Sequence, residues 1–547
     1  MKSISIDNVE LQTRRKGPAG WNIAVLAVAL VLASPVLAVV TLAFTSSDDI
    51  WAHLAATVLP GYIWQSCVLV LATGALCLAI GTGTAWLVTM CSFPGRKIFQ
   101  WALLIPLAIP TYIVAYVYVD LFEFSSYLPQ IRSMPGAVLV LAFVLYPYVF
   151  LTARAAFLQQ SFCVFEVART LGCSASEAFT RVSLPMARPA LVVGVLFVAM
   201  ECLNDIGAVQ HFGIRTLTVG IYDIWLERGN LGGGAQVACV LLAIMILLGV
   251  IERVSRQSRR YHETSSKYRQ LPGYKLNGWK AVFAIFACAA PIFLGFILPA
   301  ATLTLHALET NWEPEILLYG ANSLILTLSA VTLLLAMGLI LAYGVRILGS
   351  GGIAATAVLI ASIGYAIPGA VLGIGILVPL AGFDNFLDSI ARASFGVSTG
   401  LLFTGSVAAV VFAYLVRFLF LSYGSLEAGL SKITPSMDMA ARCLGHGEWG
   451  TLRRVHFILL RPAVLSAALL VFIDCMKELP ATLILRPYDF DTLATYTYTS
   501  ASLGLFEESA PAALAILLAG LIPVLLLSRV LELSRPGTIG VQGQADS

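Results

Sequence analysis

The chain has 547 residues, 59% hydrophobic and only 12% charged, with 33 Lys and Arg against 30 Asp and Glu. Soluble domains are roughly 45–50% apolar and about 25% charged, so a string of soluble domains, a disordered chain, collagen and a small disulfide scaffold are all excluded. At about 20 residues per crossing, twelve spans use about 240 residues and leave short loops, which makes this a polytopic membrane protein. The near-balanced charge carries no nucleic-acid footprint. The ten cysteines form no CxxC pair and no zinc spacing. Cys67, Cys77, Cys239 and Cys288 sit in apolar runs, where a thiol behaves as a small hydrophobe. Neither a disulfide nor a metal cluster is expected.

In chain order, residues 1–20 form a polar tail carrying Arg14, Arg15 and Lys16. The apolar run 21–44 is too long for a cleaved signal peptide and reads as a first span that stays. Hydropathy then predicts spans near 62–89, 99–122, 135–158, 186–206 and 232–252. A basic stretch, 253–280, follows; it includes Arg253, Arg256, Arg259, Arg260, Lys267 and Arg269 against the single acid Glu263. A second series lies near 281–305, 320–345, 353–380, 400–423, 459–480 and 508–530, before a short tail, 534–547.

Short basic segments stay in the cytoplasm. The N-terminal tail and the 253–280 linker are both basic, so the halves 21–252 and 281–533 start on the same side. Each half then holds an even number of spans, and six fits. The alternate loops agree: 46–60 carries Asp48 and Asp49, and 306–319 carries Glu309, Glu313 and Glu315, neither with a Lys or Arg. The inner loops carry Arg96, Lys97, Arg169, Arg181, Arg188, Lys432, Arg442, Arg453 and Arg454. Both tails are expected in the cytoplasm.

The halves also match each other in sequence. Ala168-Arg-Thr-Leu-Gly172 lies over Ala441-Arg-Cys-Leu-Gly445, Arg188-Pro-Ala190 over Arg461-Pro-Ala463, and Glu201-Cys-Leu-Asn-Asp205 over Asp474-Cys-Met-Lys-Glu478, all at an offset of 273. An even number of spans per half makes such a repeat parallel.

The cytoplasmic loop after the fourth span of each half is longer than a turn. In the first half it holds Glu166-Val-Ala168, Gly172 and Val182-Ser-Leu184-Pro185; in the second, Asp438-Met-Ala440-Ala441, Gly445 and Val455-His-Phe-Ile458. A glycine at 172 can take the left-handed conformation that ends a helix, and Ser174-x-x-Glu177 offers a capping box to start the next. The first-half segment resembles the EAA motif of the membrane subunits of bacterial binding-protein-dependent ABC importers, with Val167 replacing the first Ala. In the second half the acid comes one residue early and the Leu-Pro is missing. The resemblance implies ATPase coupling at Glu166, Ala168, Gly172, Leu184, Pro185, Asp438, Ala440, Ala441 and Gly445. The competing reading is an interfacial amphipathic helix with no partner.

Lys477-Glu-Leu-Pro-Ala-Thr482, with Leu485-Arg-Pro487 and Phe490-Asp-Thr-Leu493, is similar to ferric-iron permeases with two fused halves, as is Asn204-Asp-Ile-Gly-Ala-Val209 with Thr216-Leu-Thr-Val-Gly220. That resemblance implies ferric iron as cargo and an extracytoplasmic substrate-binding protein to deliver it. It also implies two copies of a cytoplasmic ABC ATPase binding ATP and Mg, and a place in the bacterial inner membrane. Fused permeases for thiamine and other small solutes look alike, so such a cargo stays open. The expected fold is all-α and polytopic, about 12 transmembrane helices in two parallel six-helix repeats, each with a cytoplasmic coupling helix.

Spans five and eleven carry acids near their outer ends. Glu201 and Asp205 are four apart, as are Asp474 and Glu478, which puts each pair on one helix face. Like charges so placed repel, and burial in the membrane adds to the cost. A proton, a basic neighbour or a cation in transit must offset it. Lys477 can pair with Asp474, whereas its counterpart Asn204 neutralises nothing. Either the four acids line a central path for a cationic cargo, or the helices end earlier and the acids sit solvated among headgroups. No metal ligand set is firmly assigned. Arg417 reads as snorkelling to the cytoplasmic headgroups, and His211, His306 and His456 as solvated loop residues. Tyr146, Tyr148, Tyr496 and Tyr498 read as interfacial, and Gly81, Gly83, Gly338 and Gly344 as close-packing sites.

No GxxxxGK[ST] occurs, and Gly445-His-Gly-Glu-Trp-Gly450 lacks the following Lys-Ser/Thr, so the chain cannot cradle ATP phosphates. No Ser/His/Asp or HExxH arrangement appears, which leaves no enzyme and no cofactor of its own. A secondary transporter of parallel repeats accounts for the acids and the repeat but not for the paired docking loops. An ion channel lacks a pore-loop sequence.

Overall fold

The computed structural model describes residues 19–45, 50–123, 130–160, 170, 172, 174, 177–257, 274–310, 312–348, 358, 363–431 and 433–533. Among them ten helices are long and apolar enough to cross a membrane: Trp21–Ala43, Leu59–Met90, Met134–Leu158, Ala178–Asn204, Leu231–Ile251, Trp279–Glu309, Glu315–Leu348, Gly369–Phe395, Val407–Ser431 and Phe506–Leu526. Two further crossings are bent pairs, Arg96–Ala108 with Thr111–Phe122 at 87° and Trp449–Leu459 with Arg461–Met476 at 73°. Counted as one span each, they bring the total to twelve, and the all-α polytopic class stands. Among the described residues the sheet is one two-residue parallel ladder, Cys91–Ser92 on Tyr274–Lys275, which ties the end of the basic linker to the second span.

The breaks have a chemical cause. Proline has no N–H to donate and drives the residue before it out of the helical region. Ile105–Ala108 is a short 3-10 turn, Ile109 is extended, and the helix resumes only after Pro110. The same Ala-Ile-Pro recurs at 366–368, where Ile363–Ala366 is again a 3-10 turn and Pro368 opens Gly369–Phe395. The ninth span therefore lies later than the expected 353–380, most of whose first ten residues fall outside the described ones. The tenth starts at Val407 rather than 400, because Gly400 and Gly405 turn with φ of +61° and +69°. The eleventh, expected as one run, bends at Leu460, ahead of Pro462.

The halves interlock. Trp21–Ala43 packs on the sixth span of its own half, where Gln236 Nε2 donates to the Ala43 carbonyl at 3.3 Å, and also crosses to the eighth and ninth spans: Trp21 meets the Tyr343 ring edge-on at 5.6 Å, and a Cβ on Gly344 would reach Val25 at 2.7 Å. Trp279–Glu309 likewise packs on the twelfth span of its own half and also reaches the first half, with the Tyr118 hydroxyl donating to the Leu294 carbonyl at 2.8 Å and His306 Nε2 lying 3.5 Å from Asp120. His306 is thus paired at the helix end rather than solvated. Gly81 allows close approach, since a Cβ there would meet Phe150 N at 2.8 Å and Tyr146 O at 2.9 Å. Gly338 and Gly344 do the same, whereas Gly83 faces open space. Tyr146 is fully buried in that core rather than interfacial.

Candidate functional site

The fifth span ends one residue before Asp205. Its α-helix, Leu184–Asn204, closes with Asp205 in an extended conformation, and the Asp205 carboxylate turns to accept the Ala208 N–H at 2.8 Å. Asp205 thereby caps the short helix Gly207–His211. In the eleventh span the helix Arg461–Met476 stops likewise, and Glu478 accepts the N–H groups of Ala481 at 3.1 Å and Thr482 at 3.0 Å, at the start of Pro480–Leu485. The expectation that each acid pair shares a helix face is corrected: the second acid of each pair has left the helix and caps the next. Beyond the caps, Thr216 and Thr492 start the helices Leu217–Tyr222 and Leu493–Ser502. Each of these hangs its first N–H on a serine of the opposing span, Leu217 on Ser66 at 3.0 Å and Leu493 on Ser323 at 2.8 Å.

These turns converge on one cavity between the halves, lined by all four acids together with Tyr112, Tyr148, Tyr365, Arg417 and Lys477. Lys477 Nζ lies 2.8 Å from Asp474, as expected. Arg417 does not snorkel: its side chain is 11% exposed and its Nη1 donates to Glu478 at 2.7 Å. Glu201 and Asp205 have no ion-pair partner within 4.0 Å among the described residues. Two contacts cross between halves here, the Tyr365 hydroxyl donating to Glu201 at 3.3 Å and the Gly369 N–H to Asn204 Oδ1 at 3.1 Å. A Cβ on Gly369 would meet Arg417 Nη1 at 2.7 Å and Glu478 Oε1 at 2.9 Å, so only glycine fits beside that ion pair. Four carboxylates against two cations leave the lining at a formal −2. Tyr112, Tyr365 and Gly369 escaped the sequence reading, and Arg417 was assigned to the headgroups rather than to the cavity. The repeated Ala-Ile-Pro was the available signal for the two backbone breaks, which Tyr112 and Gly369 closely follow.

At the corners expected to face the cytoplasm, Glu166 and Ala168 lie outside the described residues. Gly172 has φ +81°, and the capping box is present: Ser174 N donates to Glu177 at 2.9 Å and Glu177 N to Ser174 Oγ at 3.3 Å. These bonds from Ser174 hold the exposed Glu177 carboxyl below its ordinary value. Leu184 and Pro185 open the straight part of the fifth span after a π-turn, Ala178–Ser183. In the second half the helix Pro435–Cys443 ends in Gly445 at φ +80°, with Gly445 N donating to Arg442 O and His446 N to Ala441 O, each at 3.0 Å. That is a Schellman stop.

Asp438 anchors this corner. Arg346 grips its carboxylate with two nitrogens, at 3.0 and 3.1 Å, and also donates to the carbonyls of Leu430 and Ile433. His456 Nε2 lies 2.6 Å from the same carboxylate; its side chain is buried, not solvated. Burial pushes the Asp438 pKa up, but the bonds from Arg346 and His456 outweigh it and hold the group below its ordinary value. Ala441 packs inward, Ala440 is exposed, and Met437, Met439, Leu444 and Trp449 stand exposed around them. His211 is also enclosed, between the rings of Tyr116 at 6.3 Å and Tyr498 at 5.9 Å.

The family described as binding-protein-dependent transport system inner membrane component matches residues 75–261. The chain is 25% identical over 464 residues to the Fe(3+)-transport system permease protein FbpB 2 of Haemophilus influenzae, covering 83% of this chain and 86% of that one. It is 31% identical over 251 residues to the sulfate transport system permease protein CysW of Escherichia coli, 42% of this chain and 86% of the other. Over 217 residues it is 27% identical to the molybdenum transport system permease protein ModB of Escherichia coli, 36% of this chain and 95% of that protein.

Proposed function

The chain belongs to the inner membrane components of binding-protein-dependent transport systems, and from that premise we propose that it carries ferric iron into the cytoplasm as the fused, two-half permease of an ATP-driven importer. The observation that carries the cargo is the charge of the central cavity. The relatives named above transport Fe(3+), sulfate and molybdenum. Arg417 and Lys477 could serve an anion only if they were free, and each is already paired with an acid. A lining at formal −2 repels anions and concentrates cations. Carboxylate and phenol oxygens suit a hard cation.

An extracytoplasmic binding protein delivers the ion, and two copies of a cytoplasmic ATPase, which hold the ATP and Mg, supply the energy. Each ATPase seats one corner: Glu166, Ala168, Gly172, Leu184 and Pro185 in the first half, Asp438, Ala440, Ala441 and Gly445 in the second. Several features support this. Both corners turn on a left-handed glycine. The second presents exposed Met437, Met439, Leu444 and Trp449, an apolar surface suited to a protein partner. Closure of the ATPases pushes on both corners and rocks two parallel six-span repeats, whose acids Glu201, Asp205, Asp474 and Glu478 line the passage. The tails 1–20 and 534–547 and the linker 253–280 lie in the cytoplasm.

The test is uptake of labelled ferric iron by iron-starved cells lacking the chain, carrying it, or carrying it with Gly172 and Gly445 both replaced by valine. Uptake restored by the native chain and lost in the double variant is the expected result. Equal iron uptake in all three strains discards ferric iron, and thiamine becomes the next cargo to assay.

A further inference from the structure

The cavity is lopsided. At the matched offset of 273, Lys477 stands where the first half has Asn204, and Arg417 where it has Val144. Both cations therefore come from the second half, and each is committed to an acid of that half, Lys477 to Asp474 and Arg417 to Glu478. Glu478 has little left to offer, since its oxygens also take the Ala481 and Thr482 N–H groups and the Thr482 hydroxyl at 2.6 Å. The first-half acids differ. Glu201 accepts the Tyr365 hydroxyl at 3.3 Å, and Asp205 accepts the Ala208 N–H at 2.8 Å. Neither has a cation within 4.0 Å among the described residues.

An independent feature points to the same wall. Tyr112, also from the first half, lines this cavity, is 4% exposed, and its hydroxyl has no hydrogen-bond partner among the described residues. A buried hydroxyl left unpaired is costly, and Tyr112 is part of the wall of the cavity that Asp205 and Glu201 share.

We propose that Glu201, Asp205 and the Tyr112 hydroxyl form a one-sided transit site for a hard multivalent cation, with Lys477 and Arg417 as tethered counter-cations that cancel the acids of the other half. The site deepens the cargo assignment given above and rests on it. Two carboxylates and a phenol, without His or Cys, hold such an ion weakly, and among the described residues no three His, Cys, Asp or Glu side chains gather into a metal cluster. Weak holding is what a passage requires, because an ion that binds must also leave. If all four acids were free, a trivalent ion would meet a formal −4 and be retained. The tethered cations set the depth of the well.

The experiment titrates the purified full-length chain in lipid nanodiscs with Tb3+, a hard trivalent ion whose luminescence is sensitised by nearby tyrosines. The native chain is expected to give a saturable signal. Glu201→Gln should weaken binding about tenfold and Tyr112→Phe about threefold, while Lys477→Asn, which frees Asp474, should tighten it about tenfold, as ligand charge sets affinity for hard cations. The gain expected for Lys477→Asn cannot be mimicked by misfolding. Tb3+ affinity indifferent to Glu201→Gln and Tyr112→Phe overturns the one-sided site and leaves a cationic cargo standing. Absence of binding in both the native and Lys477→Asn chains overturns the site and the cationic cargo together, a result that iron uptake in cells checks separately.

Discussion

Asp438 illustrates how much one side chain holds. Its carboxylate joins three elements: the corner helix that carries it, Arg346 at the end of the eighth span, and His456 at the start of the eleventh. Asp438→Asn removes the charge from both bonds and should lower stability by about 2 kcal/mol, read as a drop in unfolding midpoint of the purified chain near neutral pH. The sign with pH follows from the depressed pKa. The contribution is complete above the ordinary carboxylate value and is lost as pH falls through the lower, folded value. The gap between native chain and variant should therefore close below about pH 4. Glu478→Gln should cost more, about 3–5 kcal/mol, because it strands the Arg417 charge in a low-dielectric site, and adding Arg417→Met should recover most of the loss; denaturation of the two variants side by side checks this. Of these partners, the Lys477–Asp474 pair was legible from its i,i+3 spacing. Arg417 was not, since a lone arginine near a span end reads the same whether it points to headgroups or inward. His456 was missed for a similar reason: its partner lies 18 residues earlier, across a helix corner.

At the scale of elements, local chemistry wrote the corners plainly. The Ser174–Glu177 box and the glycine stops at 172 and 445 follow from residue type alone, because few other residues cap or turn in those ways. Gly445→Val forces a β-branched residue into the left-handed region at about 1–2 kcal/mol. It should reduce ATPase activity stimulated by the loaded binding protein while leaving membrane insertion intact, which assay of the reconstituted complex measures. The ends of spans five and eleven were harder to read. Hydropathy runs on through Asp205 and Glu478, and only the cap bonds reveal that the chain turns there. The bends at Pro110 and Leu460 were hidden too, since apolar content does not change across them.

For the whole molecule, hydropathy supplied the number of crossings and loop charge an expected orientation. That the first span of each half also packs on the opposite half was illegible, because a side chain facing lipid is as apolar as one facing another helix. This crossing has a consequence. Expressed as two polypeptides divided within the basic linker, the halves should be recovered only together, co-purifying through the Trp21–Ala43 and Trp279–Glu309 contacts; either half alone, stable and monodisperse, would contradict the interlock.

The cargo is the central claim, and reconstitution tests it most directly. The chain, its ATPase and its binding protein in proteoliposomes should accumulate labelled ferric iron on ATP addition, should ignore labelled molybdate, and should lose most iron transport with Glu201→Gln. ATP-driven accumulation of molybdate in place of iron, unchanged by Glu201→Gln, would contradict the account.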